Sequence, residues 1–148
     1  MSSEFARTSN AKPASFLAQD ILENCWIKGD NKALESYYAP YCVMKRAPLS
    51  IYSGREEVLR HYADLRSAFP DAALSIDHVC SQPFDKNNER VAVRWSIAAY
   101  YQGEFAGRSA TGKPVYIVGV THWQMVDGRI AAEWTVFDRL AVLAQTQL

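Results

Sequence analysis

Apolar positions recur at two different periods along this chain, and the change falls at Pro70. Before Pro70 they recur at three and four residues, the helical spacing. Phe16, Leu17, Ile21 and Cys25 form one stripe, which predicts a helix from a Ser15 cap to Lys28 with Gly29 as its stop. Asn31 heads a shorter helical segment, Lys32 to Tyr38, ended by Pro40, and residues 42–47 read as a short strand. Val58, Tyr62, Leu65 and Phe69 give the clearest helix, starting at Ser53. After Pro70 the period drops to two. Residues 74–82, 90–105, 114–126 and 129–137 are rich in β-branched and aromatic residues, and the turns fall at residues 85–89, 107–113 and 127–128. A last helical pattern, Leu140, Leu143 and Ala144, follows Asp138.

Helices first and an antiparallel meander afterwards predict an α+β fold: N-terminal helices packed across one face of a sheet. Asp127-Gly128 is a strong signal for a two-residue hairpin turn. Counted back from a regular turn, Trp123 opposes Ala132, Thr121 opposes Trp134, Gly119 opposes Val136 and Ile117 opposes Asp138. His122 then opposes Glu133 on the other face. A single bulge would reverse this relation, because a one-residue slip moves every side chain to the opposite face.

The chain has 148 residues, enough for one domain that buries roughly 70% of its unfolded surface without metal or disulfide staples. Residues 1–13 read as a loose tail and 14–148 as the domain. Sixteen basic residues balance sixteen acidic ones, so the charge gives no footprint for nucleic acid or an anionic membrane. No apolar run reaches the roughly 20 residues needed to span a bilayer, and the N-terminus lacks a signal-peptide core. Cys25, Cys42 and Cys80 are odd in number and widely spaced. They predict buried thiols rather than a disulfide framework or zinc site, and a cytoplasmic setting.

The candidate chemistry is concentrated near the C-terminus. Asp138 ends the apolar run Trp134-Thr135-Val136-Phe137 and precedes a helix. It reads either as a helix cap or as a proton-transfer group whose pKa is raised by the aromatic residues beside it. His122 lies in a strand core, where a structural histidine is the usual finding. His61 borders a helical apolar stripe and His78 a solvated strand, so the histidines do not form a metal-ligand pattern. There is no GxSxG elbow and no glycine-rich phosphate loop. The aromatic residues Trp26, Tyr38, Tyr62, Phe69, Trp95, Tyr101, Phe105 and Trp134, with Gly119 and Thr121, are the candidate lining of an apolar cavity.

The segments AFPD (68–71), ERVAVRW (89–95), GEFAG (103–107), TGK (111–113), VDGRI (126–130) and EWTVFDRLAVLAQ (133–145) occur in one order and spacing. Together they resemble the SnoaL-like polyketide (ester) cyclases of the nuclear-transport-factor-2-like superfamily, over roughly residues 14–146. The resemblance implies a cone-shaped α+β barrel, with N-terminal helices over a strongly curved antiparallel sheet enclosing one pocket. It also implies a homodimer formed through the sheet. The implied chemistry is a cofactor-free and metal-free intramolecular aldol closure of a polyketide ester. An aspartate acts as general acid and base and a histidine assists. Asp138 matches the aspartate by position and His122 is the match for the histidine. The chain departs from the family where many members carry Gly-Thr-His: it has Ala99-Tyr100-Tyr101, so that histidine is replaced, at Tyr101. Three functions from different classes follow: a lyase- or isomerase-type enzyme acting on a small apolar carbonyl compound, a non-catalytic binding protein for a small apolar ligand, or a purely structural dimerisation module.

Overall fold

The computed structural model describes residues 13–46 and 50–147. The expected tail therefore lies almost wholly outside the described residues. Helix α1 (Ala14–Ile21) starts after Pro13, with no side-chain cap, so Ser15 lies inside the helix rather than heading it. The chain continues as a π-helical turn, Leu22–Ile27, closed by a Lys28 N–H to Glu23 carbonyl bond of 2.9 Å. Helix α2 (Asn31–Tyr37) is capped one residue earlier than expected: Asp30 accepts from the N–H groups of Lys32 and Ala33. Gly29 takes φ +64 between them, and the Arg66 guanidinium fills the space a side chain there would need. The Arg66 fork also donates to the Cys25 and Trp26 carbonyls, groups at the end of the π turn.

Strand β1 (Tyr38–Arg46) and the short β2 (Ser50–Ser53) precede helix α3 (Arg55–Ala68). Glu57 in the first turn of α3 accepts from the Ser53 N–H at 2.7 Å, one residue ahead of the Gly54 cap. Strands β3 (Ala73–Asp85), β4 (Asn88–Tyr100), β5 (Pro114–Val126) and β6 (Arg129–Phe137) form the predicted meander, and α4 (Arg139–Gln147) ends the chain. The long-strand reading of 90–105 is shortened at Tyr100. Beyond it the Tyr101 hydroxyl accepts from the Phe105 N–H and donates to the Arg108 carbonyl, folding residues 101–108 into a loop.

The six strands run in the order β2-β1-β6-β5-β4-β3. The sheet is mixed, because β1 pairs parallel with β6. It is open at β2 and β3, rather than the purely antiparallel, strongly curved sheet expected. Local pattern carries no signal for that parallel pair, whose partners lie at opposite ends of the chain. The inner face carries Val91, Val93, Trp95, Val115, Ile117, Trp123 and Met125, all buried under α1, the π turn and α3. Each such side chain stabilises the fold by roughly 1.5–3 kcal/mol.

The β5–β6 hairpin decides what faces the helices. Asp127 (φ 51) and Gly128 (φ 78) form the turn, and Val126 pairs with Arg129 as predicted. The register then slips between Gln124 and Met125, so Gln124 opposes Ala132, Trp123 opposes Glu133, His122 opposes Trp134 and Thr121 opposes Thr135. Glu133, Thr135 and Phe137 turn inward. Trp134 and Val136 turn outward, beside Tyr116, Val118 and Val120, and all five are more than a third exposed.

Candidate active site

The inward turn of β6 buries a carboxylate. Glu133 is 1% exposed, and both of its oxygens are fully engaged. Oε1 accepts from the Tyr38 hydroxyl at 2.7 Å and from the Trp123 indole N–H at 2.7 Å. Oε2 accepts from the Tyr62 hydroxyl in a short bond and from Thr135 at 3.3 Å. Each donor is itself held from behind. Tyr38 accepts from the Trp26 indole at 3.0 Å. Thr135 lies 2.9 Å from Thr121, which accepts from the Trp95 indole at 2.9 Å.

Indoles only donate, so two directed chains converge on Glu133: Trp26 to Tyr38, and Trp95 through Thr121 and Thr135. The array satisfies an ionised carboxylate with four donors. Burial nevertheless outweighs those donors and raises the Glu133 pKa. Burial and the neighbouring Glu133 charge push the Tyr62 and Tyr38 hydroxyls well above the usual phenol value. Any proton received by this cluster therefore rests most readily on Glu133.

Between α3 and the sheet lies a cleft of about 70 Å³, lined by Trp26, Ile27, His61, Tyr62, Leu65, Arg66, Phe69, Pro70, Ala72, Trp95, Ile97, Ile117, Thr135 and Phe137. Tyr62 and Thr135 are its links to Glu133, which lies behind them. Tyr62 stacks on Trp26 with ring centroids 4.7 Å apart, and Trp95 meets Trp26 edge-on at 5.5 Å. His61 reaches the cleft from the helical position beside Tyr62. Arg46 contacts its ring nitrogens at 3.0 and 3.3 Å. A guanidinium has no acceptor, so His61 must offer a lone pair and is neutral. Burial, together with the charges of Arg46 and Arg139, lowers its pKa to about 3.

The residues expected from sequence divide into five groups. Trp26, Tyr62, Phe69 and Trp95 line the cleft. Tyr38 and Thr121 stand behind it as links in the hydrogen-bonded chains. Tyr101 and Phe105 brace its rim through Phe69, at ring separations of 5.8 and 5.5 Å. Gly119 leaves no cavity: a side chain there would run into the Trp95 indole.

The remaining three expectations are corrected in position. Trp134 is on the outer face of the sheet, with His122 beside it at a ring separation of 5.6 Å. The bulge in the hairpin is the reason. Asp138 is exposed and caps α4, accepting from the Ala141 N–H at 2.9 Å. It does not line the cleft. His122 and Asp138 are therefore not brought together, while Glu133, His61 and Arg46 were missed. An acid inside a β-branched run was the available signal for Glu133. Cys25 and Cys42 are buried, and burial pushes their thiols up to about 12 and about 11. Cys80 is exposed, contrary to the buried thiol expected, because β3 is an edge strand. Among the described residues no three His, Cys, Asp or Glu side chains are grouped to hold a metal, and no helix is long and apolar enough to cross a membrane.

A family model for SnoaL-like polyketide cyclases matches residues 16–146, nearly the whole chain. The chain belongs to this family. Solved structures of similar shape agree with the SnoaL-like assignment. A SnoaL-like candidate polyketide cyclase from Jannaschia sp. CCS1 superposes with a TM-score of 0.77 at 19% identity, covering 93% of this chain and 96% of that one. IdmH of Streptomyces antibioticus, a candidate polyketide cyclase, gives 0.73 at 25% identity, covering 90% and 98%. A Catenulispora acidiphila protein with a ketosteroid isomerase-like fold, solved with trimethylamine, gives 0.70 at 16%, covering 89% and 92%. No curated protein matches the sequence of this SnoaL-like chain.

Proposed function

We propose that this protein is a cofactor-free general acid/base enzyme that moves protons on a small apolar carbonyl compound, closing a ring by intramolecular aldol reaction or carrying out related isomerase or lyase chemistry. The observation that carries the reading is the Tyr62–Glu133 pair: a hydroxyl at the cleft wall, hydrogen-bonded to a buried carboxylate of raised pKa.

The Tyr62 hydroxyl points its proton at Glu133, which leaves its oxygen lone pairs for the cleft. A free phenolate is disfavoured there, so Tyr62 acts only as one half of a relay. A proton leaves the carbon between two substrate carbonyls for the Tyr62 oxygen while the Tyr62 proton passes to Glu133. The substrate becomes an enolate and Glu133 a neutral acid. The enolate carbon then attacks the second carbonyl. The new alkoxide takes a proton from Tyr62, and Glu133 returns its proton to Tyr62. Protons balance over the cycle, and the neutral His61 offers an N–H to the enolate oxygen. A carboxyl group with a pKa lifted toward working pH suits both halves of this exchange.

A polycyclic substrate needs more than the present cleft, since ligand pockets commonly enclose about 300–1,000 Å³. Entry therefore involves movement of α3 and the loop after it away from the sheet, opening the fuller cone of the family. Two copies of the chain pair through the outer face, where Tyr116, Val118, Val120, Trp134 and Val136 form an apolar patch. The test is Glu133→Gln, which keeps the shape and one accepting oxygen for Tyr38 and Trp123, while its NH2 donates to the Tyr62 and Thr135 oxygens instead of accepting from them. Turnover of an aryl β-keto ester is expected to fall about 10²–10⁴-fold with ligand binding retained. Unchanged turnover favours the rival reading, a binding protein whose buried network is structural.

A further inference from the structure

Arg46 is 7% exposed, yet no acidic side chain among the described residues pairs with it. Its Nε is buried without an acceptor among the described residues. Among the described residues its only polar contact is the neutral His61, and the rings of Tyr52 and Phe137 lie 5.8 and 5.6 Å from its guanidinium carbon. A buried cation without a counter-charge is costly. Stacking rings hold the fork in place but do not neutralise it.

The position of this fork gives it a use. Arg46 stands beside Thr135 in the β1–β6 register. Thr135, His61 and Phe137 all line the cleft. The Arg46 fork thus lies directly behind this part of the cleft wall, against the His61 imidazole and the Phe137 ring, without itself lining the cleft. The adjoining Tyr62 is the relay residue. Arg139, whose guanidinium lies over Phe105 at 5.5 Å, adds a second positive charge that bears on both Arg46 and His61. The cleft lining itself contains Arg66 and no acid.

We infer that Arg46 receives a carboxylate beside His61, so that the ligand of this protein is an aromatic or alicyclic carboxylic acid rather than its neutral ester. This rests on the cleft being the ligand site of the proposed function and narrows its substrate class. A carboxylate accepts two parallel N–H bonds from a guanidinium, including the one from Nε. An ester cannot offer that charge. Anchored there, the body of the acid extends along Trp26, Trp95 and Phe69, with its reacting carbon beside Tyr62.

The experiment is calorimetric titration of the intact protein with 2-naphthoate and with methyl 2-naphthoate. The acid is expected to bind at least about tenfold more tightly, the effect of one charge-assisted hydrogen bond. Arg46→Met is expected to abolish that preference and Arg46→Lys to reduce it, with both folds checked by circular dichroism. Tyr62→Phe is expected to keep it, which separates ligand class from the proton relay. If Arg46→Met does not fold, the Arg46 Nε–H resonance of the wild type decides: it shifts with naphthoate and not with the ester. Equal affinity for acid and ester, no binding of either, or a preference that survives in folded Arg46→Met would overturn the inference.

Discussion

Acidification is expected to unfold this protein through His61. The imidazole is buried between Arg46 and the rings of Tyr52 and Tyr62, with ring separations of 4.7 and 5.2 Å. Its pKa is lowered to about 3 in the fold, from an ordinary value of 6.5. The folded state thus binds fewer protons than the unfolded chain, and stability falls as pH drops below 6.5. Linkage gives a loss of about 2 kcal/mol between pH 7 and 5, about 3 by pH 4, and about 5 at its limit below pH 3. Glu133 acts with the opposite sign. Its raised pKa makes the folded state the better proton acceptor, so its contribution improves as pH falls toward the usual carboxylate range. The two are separated by His61→Gln, whose carbonyl oxygen still accepts from Arg46 but does not titrate. Urea unfolding of both proteins at pH 7 and pH 5 gives a double difference in which Glu133 cancels. Wild type is expected to lose about 2 kcal/mol more than the variant. An imidazole that titrates near 6.5 by NMR, or equal losses in both proteins, refutes the reasoning.

Two further outcomes follow from the corrected positions of side chains. Asp138→Asn keeps the α4 cap, so stability is expected to change by only a few tenths of a kcal/mol, whereas Asp138→Ala costs about 1 kcal/mol in thermal or urea unfolding; neither is expected to change turnover. Val120→Lys places a charge in the middle of the outer apolar face, and analytical ultracentrifugation is expected to show dimer in the parent and monomer in the variant, while a monomeric parent at micromolar concentration removes the proposed pairing.

The meander was legible because its punctuation is local. Asp127-Gly128 and Pro114 fixed the β5 and β6 boundaries, and the predicted spans 114–126 and 129–137 are the observed ones. The clearest helix was legible from Val58, Tyr62 and Leu65. The faces of β6 were not. Alternation offers two sets there: Ala132, Trp134 and Val136, or Glu133, Thr135 and Phe137. The first is the more apolar, so pattern alone sends it inward. The bulge after Met125 and Ile130 sends the second set inward instead. That choice is stable because four donors meet Glu133, two of them, Tyr38 and Tyr62, from elements far away in the chain, a condition absent from local sequence. The π turn escaped notice for a similar reason: its widened carbonyls are satisfied by Arg66, from another helix. Asp138 is a cap, one of the two roles its sequence position allows, and its place at a strand-to-helix junction does not separate them.

The proton relay from the cleft through Tyr62 to Glu133 is the central claim, and Tyr62→Phe tests it most directly. The substitution removes one oxygen and keeps the ring that stacks on Trp26. The measurement is protein-catalysed deuterium exchange at the carbon between the carbonyls of an aryl β-keto ester that carries a ring carboxylate, followed by NMR at saturating ligand. Exchange is expected to fall about 10²–10⁴-fold with the ligand dissociation constant nearly unchanged. Exchange at the parent rate in a folded Tyr62→Phe protein contradicts the relay and leaves the buried Glu133 network a purely structural device.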